Sequence, residues 1–148
     1  MTDGLPARRV AYAMLNDIFY QKKSFDEALV RHAKGLEELA PRDRAFARLL
    51  VSVVLKRGRE MEAHLATLLR DPIESLAPPQ LLTIFCLGMA QLSFLQTPAH
   101  AAVDTCVELA AAEGVVHQKP LVNAILRRLT REPYVPLPAR EAGRMATP

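Results

Sequence analysis

Asn123, Arg127 and Arg131 recur every fourth residue near the C-terminal end of the chain, and no other group of side chains offers so definite a chemistry. On a helix that spacing puts one amide and two guanidinium groups in a single stripe. Arginine presents paired N–H donors that match phosphate oxygens, so such a stripe can follow a nucleic-acid backbone. An ordinary solvated helix face looks the same, and cations near a helix C-terminus also complement its dipole. Spacing alone favours the solvated face, because charged helix faces are usually only solvated. Lys119 and Arg128 lie in the same segment, and Arg8 and Arg9 form a second basic pair near the N-terminus. That pair falls in the first turn of an expected helix, where the dipole disfavours cations. Its placement points to a use elsewhere; a solvated N-terminus accounts for it equally well.

Other chemistries are poorly served. His32, His64, His100 and His117 are scattered, and none stands at a metal-ligand spacing from a thiol or carboxylate. His100 reads as a helix-start histidine packed against its neighbours. Cys86 and Cys106 lack basic sequence neighbours that would lower a thiol pKa. The six glycines never cluster into a phosphate-cradling turn, and nothing alternates as a strand would. Arg42, Arg44 and Arg48 make a further basic group, read here as structural, with Arg stems covering apolar surface.

The scaffold that must position these groups reads as all helical. At 148 residues the chain suits one domain, able to bury about two-thirds of its unfolded surface. Half of the residues are hydrophobic but only 5% aromatic, so the core must be aliphatic. Val10, Ala11, Met14, Leu15, Ile18 and Phe19 keep helical spacing behind Pro6, which is suited to a first turn. Ser24 and Glu27 predict a capping box for a short second helix, Phe25 to about Lys34, ending near Gly35. A third helix is expected from Pro41 to about Lys56 with Gly58 ending it, and a fourth from Arg59 to Leu69 before Asp71-Pro72. The fifth, Gln80 to Leu95, is apolar nearly all round and therefore central. Thr97-Pro98 opens the sixth and Gly114 ends it; the seventh covers about Pro120 to Arg131. Residues 133–148, with Pro133, Pro136, Pro138, Gly143 and Pro148, read as a Pro-rich linker.

Charge is uneven. Residues 1–114 carry 13 basic and 14 acidic side chains, whereas residues 115–148 carry 6 and 2. Such clustering suits a polyanion partner, although a basic tail alone would produce the same count. Two cysteines and no secretory pattern argue against a disulfide framework. The longest apolar run, around Leu81–Leu95, is too short to span a bilayer. A cytoplasmic protein without membrane contact is expected.

Four segments carry a family likeness: Leu87-Gly88 with Gln91-Leu92, Pro98-Ala99-His100-Ala101-Ala102-Val103, Val107-Glu108-Leu109-Ala110, and Val122-Asn123 through Arg128. They resemble the NusB-like RNA-binding domain, in the form found at the N-terminus of bacterial small-subunit ribosomal RNA 5-methylcytosine methyltransferases. The likeness covers about residues 6–132. It implies a bundle-like domain of about seven helices over residues 1–132, noncatalytic, with RNA contacts from Arg8, Arg9, Lys119, Asn123, Arg127, Arg128 and Arg131. It also implies small-subunit ribosomal RNA as partner, and residues 133–148 as a linker to a methyltransferase domain in cis. That domain would hold S-adenosylmethionine; none is expected in this chain.

Stand-alone members of the family are transcription antitermination factors that bind RNA with a ribosomal-protein partner. In that branch an acidic residue commonly follows the Asn-containing segment. Here Arg127-Arg128 stand in its place, and His100-Ala101-Ala102 also looks like the methyltransferase branch. Ala90 departs from a frequent Tyr, and Asp104-Thr105-Cys106 replaces a more usual Asn- or Ser-Glu pair. A reading from a third class, a helical protein–protein module with no nucleic-acid role, stays open.

Overall fold

The computed structural model describes residues 4–136, and every regular element in that span is helical. The helices are α1 (Leu5–Tyr20), α2 (Phe25–Arg31), α3 (Ala33–Glu37), α4 (Pro41–Leu68), α5 (Leu81–Ser93), α6 (Ala99–Ala112) and α7 (Lys119–Arg131). The expected total of seven therefore holds, but the divisions fall elsewhere. Residues 25–37 form two short helices rather than one, and residues 41–68 form one helix rather than two.

Local chemistry explains most starts and stops. Pro6 and Pro41 sit in first turns, where a missing N–H is harmless. Ser24 Oγ accepts from the Glu27 N–H at 3.0 Å while Glu27 Oε1 accepts from the Ser24 N–H at 2.9 Å, completing the capping box. α6 closes on Gly114, whose φ of +84° favours glycine. There the Val115 N–H reaches the Ala110 carbonyl at 2.8 Å and the Gly114 N–H the Ala111 carbonyl, a Schellman arrangement. Arg44 folds back on the carbonyls of Leu36, Glu37 and Leu39, tying the end of α3 to α4.

α5 is the central helix. All of its residues from Thr83 to Gln91 are buried, and α1, α4, α6 and α7 pack around it. α7 lays Val122, Ile125, Leu126 and Leu129 on this core. Phe19, expected on the inner face of α1, is instead 41% exposed, because the helix turns its Met14–Leu15 side to the core.

Two glycines illustrate opposite demands. A methyl group at Gly88 would overlap Leu126 Cδ2, so α5 and α7 approach closely there. Gly58 faces open space apart from Glu62 Oε2 at 3.8 Å, and it lies within α4. Gly88→Ala is expected to destabilise by about 1–3 kcal/mol through overpacking, and Gly58→Ala to stabilise by about 0.5–1 kcal/mol. Chemical denaturation of both variants checks the opposite signs.

The polypeptide stays attached beyond α7. The Tyr134 hydroxyl donates to Glu60 Oε2, and its ring packs near His64 and Phe94 at centroid distances of 5.7 and 6.1 Å. His64 Nε2 lies 2.8 Å from the Glu132 carbonyl oxygen, and Arg57 stacks over Phe94 while bonding Glu60. The Arg57 guanidinium, and then the Tyr134 hydroxyl, hold the Glu60 carboxyl below the usual carboxylate range. Thus the first residues assigned to a linker are docked on α4 and α5, and residues 137–148 lie outside the described span.

Candidate nucleic-acid interface

α7 positions the stripe because its inner residues fall three and four apart, leaving the opposite side to solvent. Lys119, Asn123, Arg127 and Arg131 lie along that side at four-residue spacing. Arg127 and Arg131 are exposed, and Lys119 and Asn123 are half-buried. Arg127 Nε donates to Asn123 Oδ1 at 3.1 Å, which steadies the guanidinium and leaves its terminal nitrogens unengaged among the described residues.

Two of the expected contact residues are held by partners within the fold. Arg8 is buried: Nε and Nη2 donate to Gln91 Oε1 at 2.9 and 2.6 Å, Nη1 donates to the Gly4 carbonyl at 3.0 Å, and the guanidinium lies 4.7 Å from the Phe46 ring centre. Burial lowers its pKa, with Cys106 and Asp43 acting in the opposite sense. A guanidinium enclosed in this way is inaccessible to RNA, which removes Arg8 from the set. Arg128 stays partly exposed but is engaged within the fold, with Nη1 on the Leu68 carbonyl at 3.2 Å and Nε on Glu132 Oε2 at 2.8 Å. It caps the C-terminus of α4 and joins α7 to it, a structural task.

Arg9, next to Arg8 in sequence, faces solvent and pairs with Glu113 at 2.8 Å. That contact places it by the C-terminal end of α6, the end from which the chain turns into α7. The candidate residues left open to solvent or half-buried are Arg9, by the end of α6, and the Lys119–Arg131 stripe on α7.

A groove between α6 and α7 borders the stripe, and its α6 wall includes His100 and Asp104. Both are exposed, correcting the expectation that His100 packs against its neighbours. Its position at the open start of α6 leaves it nothing to pack under. The signal was available: Ala102, Val103, Cys106, Leu109 and Ala110 face the core, so His100 and Asp104, four apart, must face out.

Both cysteines are buried. Burial pushes both thiols up to about 12, although Arg8 and Gln91 act in the lowering direction on Cys106. Among the described residues no three His, Cys, Asp or Glu side chains are placed to hold a metal ion, and no helix is long and apolar enough to cross a membrane.

Known proteins share this sequence and fold. The NusB family profile matches residues 5–131. Ribosomal RNA small subunit methyltransferase B of Xanthomonas campestris is 36% identical over 143 residues, which is 95% of this chain and 31% of that protein. A probable counterpart from Synechocystis is 38% identical over 128 residues, 86% of this chain and 28% of that protein. The chain thus spans less than a third of the length of these relatives. Transcription antitermination protein NusB of Nitrosospira multiformis is 32% identical over 111 residues, 74% of this chain and 67% of that protein. The solved structure of T. maritima NusB superposes with a TM-score of 0.74 at 17% identity, covering 92% of this chain and 94% of the other. The superposition shows the shared fold, and the profile match over residues 5–131, nearly all of the described residues, makes this chain a member of the NusB family.

Proposed function

We propose that this chain is a noncatalytic RNA-binding domain that docks a ribosomal RNA cytosine-5 methyltransferase on small-subunit ribosomal RNA. The observation that carries the reading is the open stripe of Lys119, Asn123, Arg127 and Arg131, with two guanidinium groups free to meet phosphates. The names of the longer relatives supply the enzyme. Methyl transfer would belong to a domain in cis that binds S-adenosylmethionine. The described residues hold no strand-to-helix glycine turn suited to that cofactor, so no step of the transfer is assigned to them. Such a role belongs in the cytoplasm.

A salt series tests it. Binding to small-subunit ribosomal RNA hairpins should weaken by roughly 0.7–0.9 log units per log unit of salt for each phosphate contacted. Absence of binding at low salt would remove the RNA role and leave a protein-interaction module. Preference for a short single strand over hairpins would favour the second reading, an antitermination factor acting with a ribosomal protein; the Nitrosospira relative supports that alternative.

A further inference from the structure

The groove between α6 and α7 contains something that a strip for phosphates does not need: carboxylates, those of Asp104 and Glu108. Asp104 is exposed and makes no hydrogen bond or ion pair among the described residues. It stands one turn after His100 and one turn before Glu108 on the α6 wall; Asn123 and Val107 line one hollow beside it, and Arg127 and Val103 the other. Two adjoining hollows share His100 and Asp104, with volumes of about 380 and 340 Å³. Those sizes fall within the range of small-ligand clefts.

A carboxylate repels phosphate, so the arrangement makes little sense as a backbone track alone. It makes sense for a nucleotide whose base is turned into the groove. A carboxylate accepts hydrogen bonds from an exocyclic amino group and rejects a ring carbonyl in the same place. An imidazole offers a flat face for stacking, and an apolar lining accepts the ring. Arg127 keeps its terminal nitrogens for the phosphate of that nucleotide.

We propose that the α6–α7 groove holds one unstacked nucleotide bearing an exocyclic amino group, which Asp104 selects while Arg127 binds the phosphate. The proposal rests on the RNA-binding reading above and adds base selection to it.

Oligocytidylate and oligouridylate of equal length are suitable probes, because their rings match in size and differ in the group facing Asp104. At near-neutral pH and one salt concentration, the protein should prefer oligocytidylate by about fivefold to tenfold. Asp104→Asn removes a negative charge and adds an amide donor for the uracil carbonyl, so oligouridylate affinity should rise more and the preference should vanish or invert. Because Asp104 is exposed, the variant should retain the fold, which circular dichroism verifies. If the wild-type protein binds both polymers equally, or the variant gains equally for both, the selection proposal is overturned while RNA binding stands. Failure to bind either polymer overturns the RNA reading and the groove proposal together.

Discussion

Replacing Gln91 with leucine is expected to destabilise the fold by about 3–5 kcal/mol, with a drop in Tm of about 10–15 °C. Gln91 Oε1 accepts from two nitrogens of the buried Arg8 guanidinium, and Gln91 Nε2 bonds to the Leu87 carbonyl at 3.0 Å. Leucine matches the volume but offers no acceptor. The charged guanidinium would then retain the Gly4 carbonyl, the Phe46 ring and the field of Asp43, with no acceptor in place of Gln91. Adding Arg8→Met to Gln91→Leu should recover a large part of the loss, because an apolar pair leaves no buried charge without a partner. A double-mutant cycle by urea denaturation reads the coupling. If Gln91→Leu alone were neutral, the guanidinium would have another route to water.

The second large effect falls on binding. Arg127→Glu combined with Arg131→Glu should weaken RNA hairpin binding roughly a hundredfold at low salt, and the salt slope should fall by about 1.5. Tm should change little, since both side chains are exposed. Arg128→Met should behave in the opposite way. It loses the Leu68 carbonyl and the half-exposed pair with Glu132, destabilising by about 1 kcal/mol, and leaves the slope intact. Neighbouring arginines of the same type thus fall into separate experimental classes. Fluorescence anisotropy across salt, paired with thermal melts, checks both. An unchanged slope in the double charge reversal would show that α7 does not meet the phosphates.

Those contrasts show what one-dimensional reading could and could not reach. The capping box at Ser24, the proline starts and the all-round apolar α5 were legible because each depends on residues within a turn or two. The division at Gly58 was misread for a traceable reason. Glycine weakens a helix by only about 1 kcal/mol, and the inner register of α4 runs unbroken through it, from Val54 to Met61, Leu65 and Leu68. Phase continuity outweighed the glycine. The split after Arg31 had no comparable local signal, because His32 ends α2 while bonded to Asp17 on α1, a contact made across the fold.

The site was legible in part for the same reason. Helical periodicity alone placed Asn123, Arg127 and Arg131 on one outer face. It could not separate Arg127 from Arg128, because Arg128 follows the Leu68 carbonyl, 60 positions away. Nor could it separate Arg8 from Arg9, whose partners Gln91 and Glu113 lie on other helices. Long side chains take their direction from tertiary partners, which spacing along a helix does not encode.

The docking of Tyr134 on α4 and α5 has a mechanical consequence. Tyr134 lies three positions after Arg131, a stretch that spans at most about 10 Å when extended. A segment joined after residue 136 therefore sets out from a surveyed origin close to where the polyanion would be gripped. Tyr134→Ala would free that origin while leaving the α7 stripe in place.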